Sequence, residues 1–137
     1  MKKIDFTVIS RKYELHKKEY DHAVLEVLNS GWYILGSKLE TFELAFAQYL
    51  GIKYCVGVNS GTDALILAIR ALGIGKGDEV IVPAGAYIAS VIGITENKAV
   101  PVFVDSNNDL VMNADAIENK ITERTKAILP VHMYGRA

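Results

Sequence analysis

The feature that most constrains this sequence is the alternation of short apolar runs with helical patterns. The apolar runs are nearly continuous, and turn residues such as glycine, asparagine and proline separate them from the helical segments. Strands that are buried on both faces of a parallel sheet have this composition, and the intervening helices are the crossovers that parallel pairing requires. The sequence therefore predicts an α/β fold with a mostly parallel sheet and helices on both of its faces.

Apolar spacing predicts the individual elements. Helices are predicted over Lys12–Asn29, Ser37–Leu50, Gly61–Leu72, Ala86–Thr95 and Ala114–Ile121, and strands over Tyr54–Val58, Glu79–Val82, Val100–Val104 and Ala127–Val131. Ser37 and Glu40 form a capping-box pattern at the start of the second helix, and Gly51 stands in the C′ position after its end. We also expect Asn113 to cap the helix that follows it.

Composition limits the classes of function that this chain can have. The chain has 137 residues, of which 50% are hydrophobic and 23% charged, and this is typical of one globular domain over residues 1–137. A net charge of −1 gives no electrostatic reason to expect nucleic acid or an acidic membrane as a partner. The single cysteine, Cys55, excludes an internal disulfide, and we interpret it as a small apolar residue of a buried strand. The charged N-terminus and the lack of a long apolar run predict a cytoplasmic protein without a membrane span.

The first candidate site follows the first predicted strand. Ligands of open α/β sheets bind beyond the carboxyl ends of the strands, and the residues at this position are Asn59, Ser60, Gly61 and Thr62. Glycine lets the backbone approach a ligand, the hydroxyl groups add donors, and the free N–H groups of a helix start attract an anion. The pattern predicts a phosphate site, although an ordinary helix cap at Asn59 or Ser60 explains the same residues. The glycine spacing is that of neither a dinucleotide-binding fingerprint nor a Walker A loop.

The second candidate site follows the next strand. Tyr87 lies just beyond that strand, where its ring is placed either to stack on a planar ligand or to pack in the core. Two neighbouring strand ends, one with phosphate donors and one with an aromatic ring, favour a shared binding site. His16 and His22 lie on a charged helix and are expected to face solvent. No His, Cys or acidic residues have the spacing of metal ligands, so no metal site is predicted.

Six segments of the chain occur in the same order in a known family. They are Gly31–Gly36, Phe42–Gly51, Asn59–Leu65, Gly77–Ala84, Val104–Asp105 and Val131–Gly135. Together they cover nearly the whole chain and resemble the DegT/DnrJ/EryC1/StrS aminotransferases, pyridoxal phosphate (PLP) enzymes of fold type I that aminate nucleotide-linked keto-sugars. The resemblance implies that the chain is the N-terminal portion of the PLP-binding large domain and that the domain is truncated.

The resemblance also implies roles for residues of this chain. Ser60, Gly61 and Thr62 would hold the cofactor phosphate. Tyr87 would stack on the pyridine ring, and the Trp32–Gly36 loop would lie near the nucleotide-sugar site and the dimer interface. The implied partners are a keto-6-deoxyhexose linked to dTDP, L-glutamate as the amino donor, and a second copy of the protein in a homodimer.

Two departures from the family pattern affect the expected activity. Ala86 stands where the family often has threonine, and this removes a hydroxyl group near the ring. In the family, the acidic partner of the pyridine nitrogen and the Schiff-base lysine lie beyond the end of this chain, so the resemblance implies no catalytic residue within it. Because PLP chemistry needs both groups, we expect the 137 residues alone to be inactive. Two alternatives stay open at this point, a PLP-dependent sugar 3-dehydratase of the same superfamily and a non-catalytic remnant.

Overall fold

The computed structural model describes residues 5–137, and the chain divides into two compact units, residues 1–57 and residues 58–137. Within the described residues, the first unit is helical and the second contains a parallel sheet with helices. The predicted α/β class is therefore confirmed. The expectation of one domain over the whole chain stays a prediction.

The first unit begins with two helices where one continuous helix was predicted. They are α1, Ser10–Leu15, and α2, Lys17–Ser30. His16 separates them because its backbone, at φ −124° and ψ 23°, lies outside the α-helical region. The Tyr13 hydroxyl connects the two helices across this break by donating to Asp21 Oδ1 at 2.7 Å. The helical prediction is right for most of these residues, but the predicted continuity is wrong.

The next helix, α3, spans Ser37–Leu50 as predicted, but its start differs from the expected capping box. Gly36 is the N-cap residue, and its carbonyl accepts a hydrogen bond from the Glu40 N–H at 3.3 Å. Because the helix begins one residue earlier than the pattern requires, Ser37 is itself helical and the capping-box prediction is wrong. Gly51 ends the helix in the left-handed conformation, at φ +66°, which confirms the predicted C′ glycine.

A segment without regular structure follows α3 and packs back on it. Gly57 N–H donates to Glu43 Oε1 at 2.6 Å, and a Cβ atom on Gly57 would lie 2.5 Å from Leu39 Cδ1. A larger residue at Gly57 would therefore displace the Leu39 side chain. The other apolar residues of α3 are largely exposed, and Ala47 is the one buried residue within residues 5–57.

The second unit is built around a parallel sheet. Its main elements are α4 (Gly61–Ala71), β1 (Glu79–Pro83), α5 (Ile88–Thr95), β2 (Val100–Val104) and β3 (Thr125–Ile128). The strand order is β2-β1-β3, and both pairings are parallel, with Ile81 opposite Val102 on one side and Ile128 on the other. The predicted alternation of strands and helices is confirmed over these elements.

The central strand β1 is buried on both faces. Val80, Ile81 and Val82 are all 0% exposed, and successive side chains of a strand point to opposite faces of the sheet. Val80 and Val82 belong to one apolar cluster with Ile69 of α4 and Ile94 of α5, so these helices cover one face of the strand. A fully buried aliphatic side chain contributes about 1.5–3 kcal/mol, and this cluster therefore supplies much of the stability of the unit.

A buried carboxylate joins β1 to β3 at the start of both strands. Glu79 is 5% exposed, and it accepts hydrogen bonds from Thr122 Oγ1 at 2.6 Å and from Arg124 Nε and Nη2 at 2.9 and 2.6 Å. These donors hold the pKa of Glu79 below its usual value. The Glu79 N–H also donates to the Arg124 carbonyl at 2.8 Å, so the pairing of β3 with β1 begins before Ala127, the first residue of the predicted strand. Pro130 has no N–H group to donate, so this pairing ends before Val131, the last residue of the predicted strand.

One predicted strand does not form in the described part of the chain. Tyr54–Val58 has no regular structure, because a strand needs a hydrogen-bonded neighbour and the described sheet consists of β1, β2 and β3. Cys55 is accordingly half-exposed, and its expected place in a buried strand is wrong.

The helix predicted over Ala114–Ile121 is also different in the structure. It forms two short 3₁₀ turns, Ala114–Ala116 and Glu118–Lys120, whose hydrogen bonds join residues three apart. Short 3₁₀ turns of this kind are common in the connections between larger elements. The predicted cap is confirmed, since Asn113 Oδ1 accepts from the Asp115 N–H at 3.1 Å.

Helices α3, α4 and α5 end in the same hydrogen-bond pattern. In each, a residue with left-handed backbone donates to the carbonyl three residues back, and the next residue donates to the carbonyl five residues back. This is the Schellman motif, and Gly51, Gly73 and Lys98 occupy its C′ position at φ +66°, +72° and +62°. Lys98 therefore carries a Cβ atom in a conformation that costs an L residue about 1–2 kcal/mol.

We expect Lys98→Gly to raise the free energy of unfolding by about 0.5–1 kcal/mol, because glycine removes the left-handed strain but has more freedom in the unfolded chain. Lys98→Ala retains the Cβ atom and is the matched control, which should stay close to wild type. Urea denaturation measures both variants. Equal stability of the glycine and alanine variants would show that this position is not strained.

Glu79→Gln should make stability less dependent on pH. The pKa of Glu79 is lowered by folding, so its carboxylate stabilises the protein above the ordinary value of 4.5, and this contribution is lost as the pH falls through the folded-state pKa. We expect the variant to be less stable than wild type at neutral pH, with the difference shrinking in acid. The midpoints of urea denaturation at neutral and at acidic pH measure this difference in stability. Glu123→Gln, which alters an exposed side chain, is the control. A difference that is constant with pH would contradict the role of the charge.

Candidate functional site

The carboxyl ends of β1, β2 and β3 lie at one edge of the sheet, because the three strands run in the same direction. The loop after β1 contacts β2 there, since the Ala84 N–H donates to the Val104 carbonyl at 2.8 Å. A Cβ atom on Gly85 would lie 3.6 Å from Ser106 Oγ, which is ordinary contact between the loops after β1 and β2. Ligands of open α/β sheets bind at this edge.

The start of α4 is held by polar side chains. Ser60 is the N-cap residue: its Oγ accepts from the Asp63 N–H at 3.1 Å and donates to Asp63 Oδ2 at 2.8 Å. Asn59 Nδ2 donates to the same carboxylate oxygen at 3.2 Å. The helix-cap interpretation of Ser60 is therefore confirmed. Its part in holding a phosphate stays a prediction.

The first residues of α4 leave donors available. Gly61 and Thr62 begin the helix, and N–H groups at these positions have no acceptor within a helix. A Cβ atom on Gly61 would meet no heavy atom within 4 Å, so the space beside this turn is open. Free N–H groups, the neighbouring Thr62 hydroxyl and the positive end of the helix dipole favour a bound anion. These residues fit the phosphate of the cofactor that the family resemblance implies.

Tyr87 stands at the start of α5. It is the N-cap residue, and the helix begins at Ile88 instead of the predicted Ala86, because the Ala86 N–H donates to the Pro83 carbonyl at 3.1 Å in a preceding turn. Tyr87 is 75% exposed, so the alternative of a core-packed tyrosine is wrong. An exposed ring at this position fits a stacking role on a planar ligand.

Helices α4 and α5 run side by side in the same direction. Leu65 of α4 lies beside Gly93 of α5, and the later α4 residues Ile66 and Arg70 contact Asn97, which follows the end of α5. Because α5 starts at the carboxyl edge of the sheet, the parallel helix α4 starts on the same side. The structure therefore brings the turn at Gly61 and Thr62 and the ring of Tyr87 to one side of the unit.

The Trp32–Gly36 loop lies in the first unit, between α2 and α3. Trp32 Nε1 donates to the Ile34 carbonyl at 2.7 Å, and the Tyr33 hydroxyl donates to the Leu28 carbonyl at 3.2 Å. Trp32 and Tyr33 remain exposed, at 66% and 64%, beside a groove of about 470 Å³. The loop is ordered by its own hydrogen bonds and offers aromatic surface to a ligand.

The remaining candidates lie outside these two regions. The side chains of His16 and His22 are 52% and 83% exposed, which confirms that they face solvent.

None of the helices within residues 5–137 has both the length and the apolar composition needed to cross a membrane. The same residues contain no group of three His, Cys, Asp or Glu side chains that could hold a metal ion.

Asp63 is the site residue that the sequence prediction missed. It supports both Asn59 and Ser60, and so it shapes the turn in which Gly61 and Thr62 stand. The signal was present in the sequence, because Ser60 followed by an acidic residue three positions later is the pattern of a capping box.

Two parallel helices that start at the carboxyl edge of a parallel sheet, one with free N–H groups and one with an exposed aromatic ring, are typical of α/β enzymes that bind a phosphate-bearing ligand. The chain belongs to the DegT/DnrJ/EryC1/StrS aminotransferase family, which its residues 14–137 match. The resemblance seen in the six sequence segments is thus confirmed.

Individual members of the family are similar over nearly all of the chain. The dTDP-3-amino-3,6-dideoxy-alpha-D-galactopyranose transaminase of Aneurinibacillus thermoaerophilus is 50% identical over 98% of this chain and 36% of its own length. The crystal structure of S. venezuelae DesV in complex with a ketimine intermediate has a TM-score of 0.94 at 46% identity, over 100% of this chain and 37% of that one. NtdA from Bacillus subtilis with bound cofactor PMP has a TM-score of 0.90 at 36% identity, over 98% and 32%. This chain spans about a third of the length of these proteins.

Proposed function

We propose that this protein is a PLP-dependent aminotransferase that converts a dTDP-linked keto-6-deoxyhexose to an amino sugar, with L-glutamate as the amino donor. The observation that carries the proposal is the pair of helix starts, with phosphate donors at Gly61 and Thr62 and an exposed ring at Tyr87. Membership of the aminotransferase family supports the reaction class. The relative from A. thermoaerophilus, a transaminase of a dTDP-linked 3-amino sugar, supports the substrate class.

Each residue of the proposed site has a distinct task. Gly61 and Thr62 donate their backbone N–H groups to the cofactor phosphate, and Thr62 adds its hydroxyl. Ser60 holds this turn in place through Asp63. Tyr87 would stack on the cofactor ring. When bound, PLP supplies an electron sink for the negative charge that develops on the amino-bearing carbon.

The residues of this chain bind and orient, and we propose that none of them moves the protons of transamination. Lys76, Lys120 and Lys126 are exposed, and none of them matches the lysine of the family. These 137 residues alone would therefore bind the cofactor without turning over substrate. The active protein would be a homodimer, as the family resemblance implies, in the reducing cytoplasm that a single cysteine suits.

Thr62→Val tests the proposed phosphate donor. Valine keeps the shape of threonine but lacks the hydroxyl, so we expect the affinity for PLP to fall about tenfold, the effect of losing a hydrogen bond to a charged group worth ~1.5 kcal/mol. Thr62→Ser retains the hydroxyl and should bind nearly as well as wild type. Titration with PLP followed by absorbance measures all three proteins. Equal affinity of the valine variant and wild type would contradict the role of Thr62.

Borohydride reduction in the same experiment tests the absence of a catalytic lysine. Reduction fixes PLP covalently wherever a lysine has condensed with it, and mass spectrometry locates the modified residue. We expect no single lysine of the 137 residues to be modified in stoichiometric amount. Stoichiometric modification of one lysine would show that this chain carries the catalytic amine after all.

Fluorescence of Trp32 tests the proposed nucleotide. It is the one tryptophan of the chain and is exposed in the Trp32–Gly36 loop, so it reports directly on ligands that bind there. We expect dTDP to change its emission in a saturable manner and GDP to have a much weaker effect. Thr62→Val should leave the dTDP response unchanged, because it alters only the phosphate site of the cofactor. An equal response to GDP would contradict the choice of dTDP.

A further inference from the structure

A glycine allows the backbone of α5 to lie close to α4. Gly93 is buried, and a Cβ atom built on it would lie 2.8 Å from Leu65 Cβ and 3.4 Å from the Leu65 carbonyl carbon. Real Cβ contacts do not occur at 2.8 Å, and neither Leu65 atom can move without its backbone. Any other residue at Gly93 would therefore push the two helices apart.

Asn97 fixes the same pair of helices at a second point. Its Nδ2 donates to the Ile66 carbonyl and to the Gly93 carbonyl, both at 2.9 Å, and its Oδ1 accepts from Arg70 Nε at 3.1 Å. One side chain thus bridges the backbones of α4 and α5. The amide is half-buried and the three bonds use both ends of it, so the bridge has a defined geometry.

The Leu65–Gly93 contact lies within two turns of both helix starts that carry the proposed cofactor site, whereas Asn97 follows the last residue of α5. Leu65 is four residues after Gly61, and Gly93 is six residues after Tyr87, so at 1.5 Å per residue the contact lies roughly 6–9 Å below both helix starts. Two parallel helices that are in contact at Leu65 and Gly93, and are joined again through Asn97, hold their starts at a set separation. A change in the contact is therefore transmitted to the distance between the phosphate donors and the aromatic ring.

We propose that Gly93, supported by Asn97, is a positioning residue that sets the separation between the phosphate-binding start of α4 and the ring-stacking start of α5. The inference rests on the proposed function, because it takes those helix starts as the two halves of one site. A ligand with both a phosphate and an aromatic ring needs the correct separation. Inorganic phosphate needs only the start of α4, and it should not respond to the separation.

The test compares two ligands on Gly93→Ala. The probes are pyridoxamine 5′-phosphate, which has both groups, and inorganic phosphate, both measured by isothermal titration calorimetry on the protein. We expect Gly93→Ala to bind pyridoxamine 5′-phosphate about fivefold more weakly, the fold-change for a lost ring contact of about 1 kcal/mol, with unchanged affinity for inorganic phosphate. A merely structural effect would weaken both ligands alike.

Two further variants complete the test. Gly73→Ala is the matched control, because it also places a Cβ atom on a glycine of this unit, but at a left-handed position that has nothing within 4 Å. It should lower stability without changing the ratio of the two affinities. Asn97→Ala removes the bridge without adding bulk and should also weaken the binding of pyridoxamine 5′-phosphate. It replaces Gly93→Ala in the test if circular dichroism shows that Gly93→Ala does not fold.

The outcomes separate the inference from the proposed function. Wild-type protein that binds inorganic phosphate but not pyridoxamine 5′-phosphate overturns the proposed cofactor site, and the inference with it. Wild-type protein that binds both, with Gly93→Ala and Asn97→Ala binding both equally well, overturns the inference alone. Parallel loss of both ligands in the variants also overturns it, because it indicates damage to the fold.

Discussion

Burial of the central strand β1 is the constraint on which the rest of this structure depends. Val80, Ile81 and Val82 are fully buried, so the strand needs a hydrogen-bonded strand on each side and cover over each face. β2 and β3 provide the hydrogen-bonded neighbours, and α4 and α5 cover the face of Val80 and Val82. Because both pairings are parallel, meeting this constraint also gathers three carboxyl ends at one edge. The position of the proposed site follows from how the core is built.

The polar groups at the amino ends and at the carboxyl ends of the strands have different partners. At the amino edge, Glu79 is buried and receives hydrogen bonds from Thr122 and Arg124, which tie β3 to β1. At the carboxyl edge, the first N–H groups of α4 have no helical acceptor and the ring of Tyr87 is exposed. The hydrogen bonds to Glu79 stabilise the fold, whereas the N–H groups without a partner at the carboxyl ends can bind a ligand.

The proposed anion site relies on backbone N–H groups and not on a cluster of cationic side chains. This agrees with a chain whose net charge is −1 and whose Lys and Arg residues are scattered. Binding by the backbone makes the geometry of the two helix starts decisive, because N–H groups cannot adjust as flexible side chains do. It is also the basis for the proposed effect of the close helix contact at Gly93 on a site that lies at the starts of the two helices.

Local signals in the sequence determined the elements and residues whose conformation depends on near neighbours. The Asn113 cap, the C′ glycine at Gly51 and the strand Val100–Val104 were predicted correctly, and the cap at Ser60 was one of the alternatives that the sequence offered. Caps and turns are formed by residues a few positions apart, so local signals are enough to indicate them. The order of the motifs was also enough to identify the family.

The tertiary structure alone decided the features that depend on distant partners. Tyr54–Val58 has the composition of a strand, but a strand exists only where another strand accepts its hydrogen bonds, and no described strand does so. Tyr87 reads equally well as core or as ligand contact until the fold exposes it. The parallel placement of α4 beside α5 likewise depends on packing between residues about thirty positions apart, such as Ile66 and Asn97, and no local pattern encodes contacts of that range.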